Sequence, residues 1–390
     1  MVVDHFDVII VGGGPVGMAL AISLHERGIP SLLLEAQGVP EQVKDPRPLA
    51  LSFGSHLILQ KLGVWSALPQ ITPITTIHIS NRSHFGRTVL TSKDAGVPTL
   101  GYVVNYHDLY RAMHQQMHIH SVNYLVGATV TTIKIDAKQA QIEYQQAGEN
   151  KQAITRLLVL ADGGRLATQI EGINYHTHTY HQWAIVANIK TSATQSGIAY
   201  ERFTSEGPIA LLPSGDGFAL VWTVPFSSAE AILSLDDSTF LAQLHHHFGD
   251  RLGKFMSTGK RSGFPLVLKY ASPTIACRTA LVGNAAQTLH PVAGQGFNLG
   301  LRDAWELTHE IIQSSALTSE IGLSRMLKAY ANKRQIDRDA GKLFTHSLAR
   351  IFISDLPLLQ TFCGMGLSVL DSLPPIKRFV ARRMIFGARG

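Results

Sequence analysis

The stretch that leaves this chain the fewest folds is Asp7–Glu35, DVIIVGGGPVGMALAISLHERGIPSLLLE. Asp7–Val11 is an apolar run that reads as a strand buried on both faces. It feeds Gly12-Gly13-Gly14-Pro15-Val16-Gly17, and the spacing predicts a helix over Met18–Arg27 and a second strand over Ser31–Leu34, ending on Glu35. This is G-x-G-x-x-G in the context that gives it meaning, a strand before and a helix after. Gly12 allows the tight turn, Gly14 lets the backbone approach a pyrophosphate, and Gly17 lets the helix pack close on the strand. An acidic residue about twenty positions on binds the ribose hydroxyls of an adenosine. Glu35 also disfavours a 2′-phosphate, so the expected occupant is FAD or NAD rather than NADP.

A second loop lies far along the chain, at Ala280–Asp303 (ALVGNAAQTLHPVAGQGFNLGLRD). A short buried strand ends near Val282, Gly283 and Asn284 turn the chain, and Pro291, Gly294 and Gly296 make a loop stiff in one place and permissive in another. From Phe297 onward Leu299, Leu301, Ala304, Trp305 and Leu307 recur at helical spacing. A glycine loop feeding a helix N-terminus favours an anion, and reduced flavin is one. There is a single dinucleotide fingerprint, and the two cysteines, Cys277 and Cys363, are far apart. That excludes a flavoprotein disulfide reductase, and a nicotinamide either takes its site from elsewhere or binds only transiently.

At 390 residues the chain is long enough for two packed units. The formal net charge is +6, but the basic residues are scattered except for Lys377, Arg378, Arg382, Arg383 and Arg389, so nucleic acid is not an expected partner. No secretory signal and no run of ~18 apolar residues is evident; with its sparse cysteines the protein is expected in the cytoplasm. Between the loops, Arg47 precedes a helix over Gly54–Leu62 and either reaches a phosphate or flavin or solvates a loop. Asp108–Met117 reads as helix, and Tyr124–Ile135 with Ala140–Gln145 as a hairpin-like pair. Arg156–Leu160 is a strand running into the turn Ala161-Asp162-Gly163. From Trp183 to Leu268 strands recur, with Asp237–Phe248 the one clear helix. The histidines at His176, His178, His181 and His245–His247 lack a ligand constellation and read as surface or structural residues; no metal site is expected.

GGGPVG with Glu35, then ADG at Ala161–Gly163, then GNAAQTLHPVAGQGFNLG stand in an order that resembles the single-component, FAD-dependent aromatic hydroxylases related to para-hydroxybenzoate hydroxylase. The third motif, with RPLALSFGSHLILQKLGVW, ERFTSEGPIALLP and GKRSGFPL, most resembles the ubiquinone-biosynthesis hydroxylases within that group. The resemblance implies an α/β fold, a Rossmann-like FAD-binding domain (residues 1–70, 98–172 and 270–345) carrying a β-sheet-rich substrate domain (71–97 and 173–269). A helical C-terminal segment, 346–390, would follow. It implies that Gly12, Gly14, Pro15 and Gly17 hold the pyrophosphate, Glu35 the ribose, and Arg47 the flavin side of the cofactor. Val130 would touch the adenine through its backbone, and Asp162 would serve FAD and pyridine nucleotide. Asn284 would meet a ribityl hydroxyl; Pro291, Gly294, Gly296, Phe297 and Asn298 would line the isoalloxazine. The sequence departs from the family pattern at Asn284, where Asp is usual, at Leu166 after the ADG motif, and at Tyr106, where relatives often carry Arg or Gln.

The expected activity is hydroxylation of the aromatic ring of a lipophilic prenylated phenol, with FAD as cofactor and NAD(P)H as transient reductant. Pro291 and His290 would stand at the flavin edge, and Tyr200, Arg202, Trp222 and His290 are the choices for a base acting on the phenol. The C-terminal segment, apolar, proline-broken and basic at its end, is either core packing or a peripheral contact with the inner face of the membrane. Association with other ubiquinone-pathway proteins is a further expected partnership. The alternatives are a flavin oxidoreductase or prenyl reductase that inserts no oxygen, and a non-catalytic FAD-bearing subunit of a biosynthetic complex.

Overall fold

The structure is a computed structural model that describes residues 4–38, 47–82, 86–193, 196–289, 294–316, 321–351 and 357–389, with side chains described outside 344–363 and 389. His290 and Pro291 lie outside the described residues. Two large sheets carry the chain. The first is built on parallel strands in the spatial order Thr279–Leu281, Glu149–Leu160, Asp4–Val11, Ser31–Glu35, Tyr124–Val126. Except in the half-buried edge strand Tyr124–Val126, their central residues are apolar and buried on both faces, as a sheet covered on two sides demands. Helices Pro15–His25, Tyr106–Ile119 and Gln295–Ala316 pack on one face through Met18, Leu20, Met113 and Leu301. The other face is covered by the hairpin Thr129–Ile135/Ala140–Gln146.

The segment from Tyr124 to Ile135 is therefore not one arm of a hairpin. Gly127, at φ 65°, breaks it into a parallel strand beside Ser31–Glu35 and a separate hairpin strand. The left-handed conformation is cheap only for glycine, and it turns the chain out of the sheet.

The second sheet has nine strands and is antiparallel except where Ile198–Thr204 runs parallel to Thr76–Asn81. Asn174–Thr191, Gly217–Pro225, Gly207–Ser214 and Ile198–Thr204 form its centre in that order. One face packs on Asp237–Phe248 through Trp222, Phe240, Leu244 and Phe248. A second helix, Phe226–Leu233, also covers this sheet, where the sequence reading expected only one. Its eight residues hold too few periods to stand out between strand-like neighbours. A small sheet, Pro48–Ser52, Gly101–Asn105 and Thr72–Ile74, lies between the large ones.

The described residues after 323 form three α-helices, Ser324–Ile351, Pro357–Ser372 and Pro374–Phe386. They do not hang free. Asp371 accepts from the Val89 N–H (3.1 Å) and the Thr88 hydroxyl (3.3 Å), and Lys377 donates to it (3.1 Å). Those donors, the Val89 N–H foremost, hold the Asp371 carboxyl below the usual carboxylate range. Ala381 and Ile385 bury themselves with Leu90, Ala95 and Leu100. The backbones touch closely enough that a Cβ at Gly86 would stand 2.2 Å from the Gly364 carbonyl oxygen.

Candidate functional site

The first glycine loop is built by close approach. Gly12 has φ 113°, and a Cβ there would stand 2.6 Å from the Ala161 backbone; one at Gly17 would stand 2.0 Å from the Gly12 carbonyl oxygen. Gly14 differs: its backbone is extended (φ −71°, ψ 171°), and a Cβ would meet no atom within 4 Å. Gly12 and Gly17 thus exist for the protein, whereas the open side of Gly14 faces a space left for something else. Helix Pro15–His25 begins there with Pro at its start and no acidic residue in its first turn, so its N-terminal amides and dipole are left for an anion. The Glu35 carboxylate reaches the same loop and accepts from the N–H groups of Gly13 (2.6 Å) and Gln37 (2.8 Å).

The second loop is held from behind. Asp303, fully buried, accepts from the Gly283 N–H (3.3 Å), from Gln287 Nε2 (3.2 Å) and from Arg334 Nε (2.7 Å). Arg334 also pairs with Asp337, which in turn accepts from the Ala388 N–H. Burial alone would favour neutral Arg334; the carboxylates of Asp303 and Asp337 outweigh it and raise its pKa. Behind Asn284, Gly283 and Ala285 are buried, while Asn284 itself is exposed towards the space in front.

That space is one cavity of about 790 Å³. Gly14, Pro15, Arg47, Asn284, Gly294, Gly296 and Phe297 all line it. Residues from as far apart in the sequence as Gly14 and Phe297 therefore meet on one wall. Arg47 is exposed at the mouth, with its guanidinium 5.8 Å from the Tyr106 ring and 5.7 Å from that of Phe264. The opposite wall is the second sheet and the tail, with Ile77, Ile79, Val186, Ala210, Leu212 and Val221 from strands and Leu367, Leu370, Val380 and Met384 from the last helices. An anion-accepting, glycine-lined end joined to an apolar end fits a dinucleotide with a planar headgroup. The residues present match FAD.

Six described sequence-predicted residues lie outside this lining: Gly12, Gly17 and Glu35, which build the first loop, and Asn298, Asp162 and Val130. Asn298 is 2% exposed. Its Oδ1 accepts from the Ser52 N–H (2.8 Å) and the Ser55 hydroxyl (2.7 Å), and its Nδ2 donates to Ala50 O (2.9 Å) and Gly294 O (2.8 Å). The amide side chain is consumed in pinning strand Pro48–Ser52 to the second loop. Asp162 is similarly occupied, accepting from the N–H groups of Gly164 (2.9 Å) and Leu166 (2.8 Å) within its own turn, and it is the neighbouring Gly163 that reaches the cavity. Val130 sits in the hairpin opposite Tyr144, two residues beyond Ala128, whose N–H donates to the Glu35 carbonyl (2.8 Å).

The expected bases also sort differently. Trp222 is fully buried against Phe240 and His247 on the far side of the second sheet. Arg202 points with it, towards Ser80 (3.4 Å). Tyr200 touches the cavity, but its ring packs against Phe218 and Phe248 in the core. Between them Glu201 faces the cavity, and burial lifts its carboxyl to about 7. Sequence reasoning passed over Glu201; the alternation in Ile198–Thr204, with Ala199, Glu201 and Phe203 sharing a face, was the signal available. The histidines of the helix end engage neighbours, His245 with Asp250 (2.8 Å) and His246 and His247 with Arg82 (3.2 and 3.1 Å).

Relatives give this geometry a family. The family described as FAD binding domain matches residues 5–338. Ubiquinone hydroxylase UbiL of Rhodospirillum rubrum is 31% identical over 96% of this chain and 88% of its own length. The 3-demethoxyubiquinol 3-hydroxylase of Escherichia coli is 28% identical over 95% of this chain and 96% of its own. Among solved structures, p-nitrophenol 4-monooxygenase PnpA from Pseudomonas putida DLL-E4 superposes with a TM-score of 0.78 at 14% identity, covering 99% of this chain and 100% of that one. Both glycine loops lie within the matched span, and the chain belongs to the FAD-binding-domain family.

Proposed function

We propose that this protein is an FAD-dependent monooxygenase that hydroxylates the aromatic ring of a polyprenylated phenol in ubiquinone biosynthesis, taking its electrons from NAD(P)H. The observation that carries the proposal is the continuity of the cavity, which runs from the flavin-binding loops to an apolar wall without a partition. The names of the relatives, ubiquinone hydroxylase and 3-demethoxyubiquinol 3-hydroxylase, support the substrate class. Bound FAD, once reduced, supplies the activation of dioxygen and the transfer of one of its atoms to the ring. The balance is one ring C–H, O2, NAD(P)H and a proton giving one ring C–OH, NAD(P)+ and water. The protein's share is orientation and dryness. Gly294, Gly296 and Phe297 bring a helix N-terminus to the flavin end, where it favours negative charge. Leu367, Leu370, Val380 and Met384 close the other end against water.

The tail also presents an outward apolar row, Met365, Val369, Leu373, Ile376 and Phe379, beside Arg378 and Arg383. No helix among the described residues is long and apolar enough to cross a membrane. This row, backing directly on the cavity wall, supports docking at an anionic membrane surface from which a prenyl chain enters. Vesicles of phosphatidylglycerol should float the wild-type protein and leave Val369→Asp/Phe379→Asp in solution, with hydroxylation of a short-chain phenol equal in both; equal flotation removes the membrane contact.

Isotope incorporation tests the reaction. FAD-loaded protein, NAD(P)H, a short-chain prenylated methoxyphenol and heavy-isotope dioxygen should give a product carrying one labelled oxygen on the ring. A reduced, unlabelled product would make the protein a reductase. Hydrogen peroxide without product, in the presence of vesicles and pathway partners as well as alone, would also defeat the proposal.

A further inference from the structure

Among the described residues Glu201 is the one carboxylate on the cavity wall, and its neighbours on the flanking strands are apolar. In register it lies between Ile79 on one neighbouring strand and Ala210 on the other; Ala210 opposes Val221, and Val221 opposes Val186. All five line the cavity. The row crosses four strand boundaries, so its backbone is tied by ladders on both sides and the carboxylate is carried on a rigid element. An unpaired carboxylate in such a row is expensive, and a valine or isoleucine there would continue the wall. Among the described residues, the other ionisable groups on the cavity wall are Arg47 at the mouth, Tyr106 beneath it and Tyr200, whose ring is turned into the core. The tail residues facing the cavity, Leu367, Leu370, Val380 and Met384, carry no charge.

Resting on the hydroxylase reading above, we propose that Glu201 is the catalytic base that takes the phenolic proton of the substrate. The phenol O–H bond breaks, its electron pair stays on the phenolic oxygen, and the proton bonds to a Glu201 carboxylate oxygen. The resulting phenolate pushes electron density onto the ring carbons, which makes them better nucleophiles towards an electrophilic oxygen. When the hydroxylated product leaves, the same proton returns to the phenolate oxygen, so the enzyme finishes as it began. Burial places the Glu201 carboxyl near 7, above the usual carboxylate range and close to the working pH, where a general base is most effective.

Glu201→Gln tests this against a purely structural role. Glu201→Gln should bind FAD as the wild type does and lose about a hundredfold in hydroxylation kcat, with NAD(P)H oxidation diverted to hydrogen peroxide. The wild-type kcat should rise with pH through about 7, a limb that Glu201→Gln lacks and Glu201→Asp partly restores. Stability should move the opposite way. A carboxyl whose pKa is raised on folding contributes most at low pH, and that contribution is lost as pH rises through about 7. Glu201→Gln should therefore melt above the wild type at pH 8, the gap shrinking as the pH falls towards 5. If the wild type inserts oxygen and Glu201→Gln stays within twofold of it with the same pH profile, Glu201 is not the base and the hydroxylase reading stands. If the wild type inserts none, both readings fall.

Discussion

Two glycines three positions apart carry opposite burdens. At Gly17 a methyl group would collide with the Gly12 carbonyl, at 2.0 Å, and at Gly14 it would project into open space. The same substitution should therefore give different phenotypes. Gly17→Ala should lower the stability of the FAD-free protein, by about 1–3 kcal/mol, visible as a lowered melting temperature. Gly14→Ala should melt with the wild type when FAD is absent, because its extended backbone suits alanine, yet weaken FAD binding by about tenfold or more, a cost of ~1.4 kcal/mol readable by flavin fluorescence titration. Equal melting temperatures for the two variants would contradict the division of labour. Gly14 and Gly17 were both legible in the sequence as members of one motif. The motif also divided their roles, Gly14 to the ligand and Gly17 to helix packing; what it left unsaid is which atoms stand across from each, a tertiary fact. Asn298 teaches the same lesson. Its place in GQGFNLG marked it as a flavin neighbour, and only its hydrogen bonds to Ser52, Ser55, Ala50 and Gly294 reveal a brace.

At the scale of elements, the helix pair Gln295–Ala316 and Ser324–Ile351 acts as a clamp on the second loop, and its jaw is ionic. Asp303 and Arg334 are both almost completely buried. Breaking such a pair leaves an uncompensated charge, which is costlier than never having built it. Asp303→Asn should cost about 3 kcal/mol and also release the Gly283 N–H, so the variant should unfold at lower denaturant concentration and retain FAD poorly through gel filtration. Wild-type behaviour in both would show that Asp337 alone satisfies Arg334. Four of the five parallel strands were readable as short apolar runs bounded by glycine or a charged residue; Tyr124–Val126 was not, because only Gly127 parts it from the hairpin strand that follows. The second sheet was readable as strands but not as faces. In Ile198–Thr204 a shift of one residue exchanges core for cavity, and Tyr200 and Arg202 stand on either side of the position that matters. Helix Phe226–Leu233 was hidden for a related reason, having too few turns to display a period.

For the molecule as a whole, the cavity has three owners: the glycine loops, the second sheet and the tail helices. Such a chamber is only as dry as its least stable wall. Leu370→Ser should leave FAD binding unchanged and raise the share of NAD(P)H oxidised without product several-fold, measured as the ratio of hydrogen peroxide to hydroxylated phenol; an unchanged ratio would show that the tail is not a seal. The two-sheet architecture followed from motif order, since both flavin loops and the strand-rich span between them stand in the primary structure. The double duty of the tail did not, because one face meets Leu90 and the cavity while the other meets solvent, and only the folded strands say which is which.

That tail has a consequence in time as well as in space. A chain is made from its N-terminus, so both sheets can pair and the first glycine loop can form before Leu367–Met384 has been synthesised. Until then the apolar wall stands open to water and to other nascent chains, and Leu90 and Leu100 lack their cover. Catalytic competence therefore arrives as a late step of biogenesis, after the scaffold that holds the cofactor is already complete.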